Sequence, residues 1–125
     1  ILRCLVGSEM CIRDSNSGHL TIEAATTSQF EQHLRTILDL PFGACDFSQN
    51  AIMINLVGEK GFNGPVVYDG MDELLEISGL HLHLYGKAET RPMRKMGHIT
   101  LIGTDLEILR KTAKRIKQQV VVRTD

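Results

Sequence analysis

The sequence predicts an α+β fold, and three observations carry that expectation. Residues 80–85 alternate strictly between apolar and polar side chains, as a half-buried strand does. Residues 28–38 and 104–120 place apolar side chains at helical spacing behind capping patterns. Glycine and proline punctuate the segments between them. The composition agrees: of 125 residues, 42% are hydrophobic and 23% charged, the balance of a globular chain and not of a disordered one. No apolar run approaches the roughly 18 residues that a membrane helix needs. A formal net charge of −1 argues against a general nucleic-acid coat. The three cysteines, Cys4, Cys11 and Cys45, are too few and too irregular for a secreted disulfide scaffold.

The elements follow in order. Residues 1–15, ILRCLVGSEMCIRDS, show neither period. They are no signal peptide, because Glu9 and Arg13 interrupt any apolar stretch. The string CLVGSEMCIRDS resembles sequencing-adapter DNA translated as if it were coding, so residues 1–15 are read as a non-native leader. Without them Cys45 is the one thiol left, expected to pack as a small hydrophobe in a reducing compartment. Residues 16–26 read as a turn and a short extended piece. Ser28 and Glu31 form a capping box. Phe30, Leu34, Ile37 and Leu38 then make one buried helical stripe, ended by Pro41 and Gly43. Residues 51–57, AIMINLV, read as a buried strand and 58–70 as loop. Asp69 to Glu76 read as a short helix with Met71, Leu74 and Leu75 inward. In the alternating run, Leu80, Leu82 and Leu84 face one way and His81, His83 and Tyr85 the other. Residues 98–102 form a second strand. Thr104 and Glu107 make another capping box, opening a helix whose Leu106, Leu109, Ala113, Ile116 and Val120 turn inward. Its other face carries Arg110, Lys111, Lys114, Arg115 and Lys117.

Charge is unevenly spread. Residues 59–76 carry a net of −4, most simply a solvated face; residues 87–98 carry +3. The basic stretch, Lys87, Arg91, Arg94 and Lys95 against Glu89, joins two strands, and functional residues concentrate in such connections. Guanidinium groups grip a phosphate bidentately and an ammonium acts as a point charge, so the loop suits a phosphate; a solubilising loop tip is the plainer reading. His81 and His83 share a strand face and His98 lies on the next strand, a geometry open to a metal. No cysteine or carboxylate falls at ligand spacing beyond Glu89, and a partly exposed polar face is the simpler account, so no metal site is assigned. Ser17 with His19, and Cys45 with His33, lack the elbow, orienting acid or basic surroundings that activate a nucleophile. Phosphate-cradling glycine motifs are absent.

Three segments taken together go further. Residues 16–43 (NSGHLTIEAATTSQFEQHLRTILDLPFG), 51–58 (AIMINLVG) and 81–101 (HLHLYGKAETRPMRKMGHITL) resemble, in order and spacing, the C-terminal part of the 5-(carboxyamino)imidazole ribonucleotide synthases, the PurK-type ATP-grasp enzymes of purine biosynthesis. The resemblance implies the tail of an ATP-grasp domain at 16–43 and a small, barrel-sandwich-like sheet domain with flanking helices at 44–125. It implies an ATP-dependent ligase that carboxylates 5-aminoimidazole ribonucleotide with bicarbonate. ATP and Mg²⁺ serve the full-length family, and their binding residues precede NSGH, so this chain is expected to be an inactive C-terminal fragment. Lys87 and Arg94 match the family's phosphate contacts, with Arg91 and Lys95 as neighbours, and Asn16 and Ser17 match the polar turn beside the substrate. The hairpin at 80–103 is expected to project the basic loop towards residues 16–19. The resemblance also implies a cytoplasmic protein and a homodimer in full-length form, while the net charge and the lack of a long apolar run leave neither nucleic acid nor membrane as an expected partner. A stand-alone phosphate- or nucleotide-binding module without catalysis is the alternative. Two departures stand out: Met93 occupies the glycine of the family's RPGRK, and Arg13-Asp14-Ser15 replace the Arg and His before NSGH.

Overall fold

Strand and helix periods translate into two compact units, residues 1–49 and 50–125. The computed structural model describes residues 16–125, so the leader reading of residues 1–15 lies outside the described residues. In the first unit, residues 16–24 are helical where an extended piece was expected: a 3₁₀ turn, Asn16–Leu20, runs into a one-turn helix α1, Thr21–Ala24. The Thr21 hydroxyl explains the difference. It donates to Gly18 O at 2.6 Å and accepts from Gln29 N at 2.9 Å, a local bonding pattern that competes with an extended backbone. Helix α2, Gln29–Ile37, opens as its sequence predicts, with Ser28 Oγ accepting from Glu31 N at 3.2 Å. Glu31 itself pairs with Arg35 one turn on, at 2.7 Å. Gln32 clasps residue 43 through both ends of its amide, donating to Gly43 O at 2.7 Å and accepting from Gly43 N at 3.0 Å.

The α2 stripe is apolar but not buried: Phe30, Leu34, Ile37 and Leu38 are all exposed, at 45–65%. Periodicity marks a face; it does not supply what covers it. Cys45 is likewise exposed and free, its sulfur 3.2 Å from Gln32 Nε2, and is not the packed hydrophobe expected.

The second unit runs β1 (Asn50–Val57), β2 (Gly64–Pro65), β3 (Val67–Asp69), a 3₁₀ turn (Asp72–Glu76), β4 (Leu80–Leu84), β5 (Glu89–Thr90), β6 (Lys95–Gly103), α3 (Leu106–Gln119) and β7 (Val121–Arg123). The central sheet is antiparallel in the order β1-β6-β4. Its register sets Ile54 and Leu82 on either side of Ile99, and Ile52 and Leu80 on either side of Leu101, so one face is apolar throughout. Leu109, Ala113 and Ile116 of α3 join that face in one core with Leu56, Leu74, Met96 and Val122.

The expected barrel-sandwich closure does not form. Beyond the three-stranded sheet there are two separate two-stranded pairs, β2 with β5 and β3 with β7. Closure needs a continuous, staggered ladder, and pairs only two and three residues long cannot extend one. Two local details also differ. Leu75 points out, 74% exposed, while Leu74 is buried. The α3 cap is Asp105, not Thr104: its carboxylate accepts from Glu107 N at 2.8 Å and Ile108 N at 3.1 Å. Among the described residues no helix is long and apolar enough to cross a membrane.

Candidate functional site

The basic loop is built from its two ends inward. At the β4 end, Tyr85 N donates to Met96 O at 2.9 Å, carrying the ladder one residue past the strand. Gly86 then takes φ 67° and turns the chain. In the middle, β5 pairs with β2, and Val66 N donates to Ala88 O at 3.0 Å. At the β6 end, Arg94 N donates to Arg91 O at 3.0 Å, closing a four-residue turn with Pro92 and Met93 at its centre. Pro92 presets the first central position, and the second requires positive φ, which is Gly's place in a type II turn. Met93 adopts it, at φ 63°. The turn is latched to the end of β1: Met93 N donates to Gly58 O at 3.0 Å, and Gly58 N to Arg94 O at 2.9 Å. A Cβ on Gly58 would lie 2.2 Å from Arg91 O, so only glycine admits this approach.

That backbone carries the four cations expected from the sequence, Lys87, Arg91, Arg94 and Lys95. Lys87 Nζ reaches across to donate to Lys95 O at 2.6 Å, and Arg94 Nη1 donates to Glu89 O at 2.9 Å. Both partners are neutral main-chain carbonyls. Among the described residues none of Lys87, Arg91 and Arg94 forms an ion pair, so anchoring fixes Lys87 and Arg94 without cancelling their charge. Each keeps further N–H donors, since an ammonium has three and a guanidinium five. A tetrahedral anion is the ligand this arrangement suits.

Asn16 and Ser17 sit at the start of the 3₁₀ turn of the first unit, Asn16 buried and Ser17 exposed. His19, from the same motif, packs its ring 5.2 Å from Phe30. The histidines of the sheet do not converge on a point. His83 and His98 stack face to face, 4.5 Å apart and 14° from parallel, and His81 is exposed. Among the described residues no three His, Cys, Asp or Glu side chains are grouped to hold a metal ion. Sequence reasoning passed over the contact that Gly58 makes with the turn.

The second unit is thus a three-stranded antiparallel sheet backed by one helix, with a cationic latched loop between β4 and β6. Residues 51–112 match the family described as the phosphoribosylaminoimidazole carboxylase C-terminal domain. The chain is 42% identical over 112 residues to the N5-carboxyaminoimidazole ribonucleotide synthase of Mycobacterium bovis, covering 88% of this chain and 26% of that protein. Among solved structures it resembles the N5-carboxyaminoimidazole ribonucleotide synthetase of Thermotoga maritima, with TM-score 0.83 and 50% identity over 89% of this chain and 31% of that one. It also resembles the Aspergillus clavatus synthase solved with ADP and 5-aminoimidazole ribonucleotide, with TM-score 0.70 and 34% identity over 83% and 28%. In sequence and in fold the chain matches the C-terminal part of the N5-carboxyaminoimidazole ribonucleotide synthases. It spans between 18% and 26% of the length of the curated relatives first matched.

Proposed function

We propose that this chain holds the phosphate of 5-aminoimidazole ribonucleotide within an ATP-dependent ligase that joins bicarbonate to the nucleotide's amine in purine biosynthesis. The observation that carries the reading is the pair of cations, Lys87 and Arg94, fixed by main-chain carbonyls with their charge uncompensated. The ligand in the Aspergillus clavatus structure, itself a phosphate ester, supports it. Lys87 and Arg94 bind the phosphate directly, and Arg91 and Lys95 raise the local positive potential. Holding the phosphate orients the rest of the nucleotide, which is the contribution of such a site to the rate. Asn16 and Ser17 serve as the polar turn beside the substrate, in a segment (16–43) that ends the ATP-grasp domain before a small C-terminal domain (44–125). Bicarbonate and ATP are the other reactants. The family's Mg²⁺ does not fit the described residues, which group no carboxylates for it, so no step through the metal or ATP is assigned to them. A cytoplasmic, homodimeric full-length enzyme completes the reading, and the free thiol of Cys45 accords with that compartment.

Calorimetric titration of the chain with ribose 5-phosphate tests the site. Lys87→Ala and Arg94→Ala should each weaken binding by about tenfold, the worth of a charge-assisted hydrogen bond. Unchanged affinity in both variants overturns the assignment.

A further inference from the structure

We infer that Tyr85 is a positioning residue for the phosphate-binding ammonium of Lys87, an inference that rests on the reading of the loop given above. A lysine side chain loses rotamer freedom when it is fixed, so an ammonium held in place before the ligand arrives binds it more tightly. Two contacts hold this one. Lys87 Nζ donates to Lys95 O at 2.6 Å, and it lies 5.6 Å from the centroid of the Tyr85 ring, within cation–π range. The ring is itself fixed from behind. Tyr85 Oη and His98 Nδ1 are 2.9 Å apart in a hydrogen bond, which sets the tilt of the phenol whichever of the two carries the proton. His98 is 1% exposed and stacks on His83, so it cannot swing away from Tyr85.

The pieces form a relay across two strands: His83 on His98, His98 to Tyr85, Tyr85 under Lys87, Lys87 to the main chain of Lys95. His83 and His98 are register partners, so they share the face of the sheet opposite Leu82 and Ile99. Neither contact consumes a carboxylate, so the ammonium reaches a phosphate with its charge intact. The phenol is the choice that combines a cation-binding face with an edge that can be tethered. Phenylalanine keeps the first and loses the second; leucine loses both.

The test is a double-mutant cycle on the 125-residue chain, titrated with ribose 5-phosphate. Tyr85→Leu should weaken binding about threefold to tenfold, the range of a cation–π contact, and Tyr85→Phe by less. In the Lys87→Ala background, neither should cost anything further, because the residue acts through that ammonium. A readout without ligand accompanies it: the ε-methylene protons of Lys87 should be shifted upfield by the ring, retain that shift in Tyr85→Phe and lose it in Tyr85→Leu. If Lys87→Ala weakens binding while Tyr85→Leu and Tyr85→Phe bind as the parent chain does, the positioning role is wrong and the loop reading stands. Equal losses from Tyr85→Leu with and without Lys87 also overturn it. If Lys87→Ala itself binds normally, the loop reading fails and the inference with it.

Discussion

At residue 93 the loop carries a conformational cost. A non-glycine side chain at φ 63° crowds its own carbonyl, by about 1–2 kcal/mol. The Met93 side chain offers little in return, being 78% exposed. Met93→Gly should therefore raise the urea midpoint, the unfolding free energy increasing by about 0.5–1 kcal/mol once the extra freedom of glycine in the unfolded chain is deducted. Met93→Ile should lower it, since a β-branched side chain tolerates positive φ least. The partner in the latch behaves oppositely. Gly58→Ala would drive its Cβ into Arg91 O, which is backbone and cannot rotate away. That substitution should weaken ribose 5-phosphate binding by displacing the turn that carries Arg91 and Arg94, while Met93→Gly leaves the latch intact. The sequence showed the charges and the unusual methionine plainly. It could not show Gly58 as their counterpart, because that contact joins residues more than 30 positions apart in the chain.

At the scale of elements, local signals were legible and pairing was not. The alternating run at 80–85 marked the side of β4 that meets the core through Leu80 and Leu82, with Leu84 exposed, and the apolar period of 106–120 marked the face of α3 that meets it through Leu109, Ala113 and Ile116, with Leu106 exposed. The barrel expectation failed because strand closure depends on ladders between distant segments, and β2, β3, β5 and β7 are too short to leave a period in the sequence. The shift of the α3 cap by one residue has a similar cause: Thr104 and Asp105 both have capping side chains, and backbone geometry chooses between them. Asp105 wins with two hydrogen bonds and adds a negative charge at the positive end of the helix. Asp105→Ala should cost about 1 kcal/mol of stability in chemical denaturation, and Thr104→Ala should cost much less. Equal effects from the two would return the cap to Thr104.

For the molecule as a whole, the distribution of burial separates the two units. Ala24 is the one buried hydrophobic residue in the described part of the first unit, whereas the second holds a core of ten buried apolar side chains. Phe30, Leu34, Ile37 and Leu38 lie along α2 and Leu40, Phe42 and Phe47 follow it, all of them exposed. An apolar surface of this kind drives association in water. The chain should therefore bind a hydrophobic dye and scatter light increasingly with concentration. Leu34→Gln with Ile37→Gln should reduce both signals while moving the thermal midpoint little, because substitutions at exposed sites change stability by only about 0.5 kcal/mol. If the stripe were instead packed against other residues in solution, the pair would remove two buried side chains at about 2–5 kcal/mol each. Dye binding would then rise as the unit loosened. The sign of the change in dye fluorescence, read with the shift in midpoint, decides between a free apolar face and a buried one.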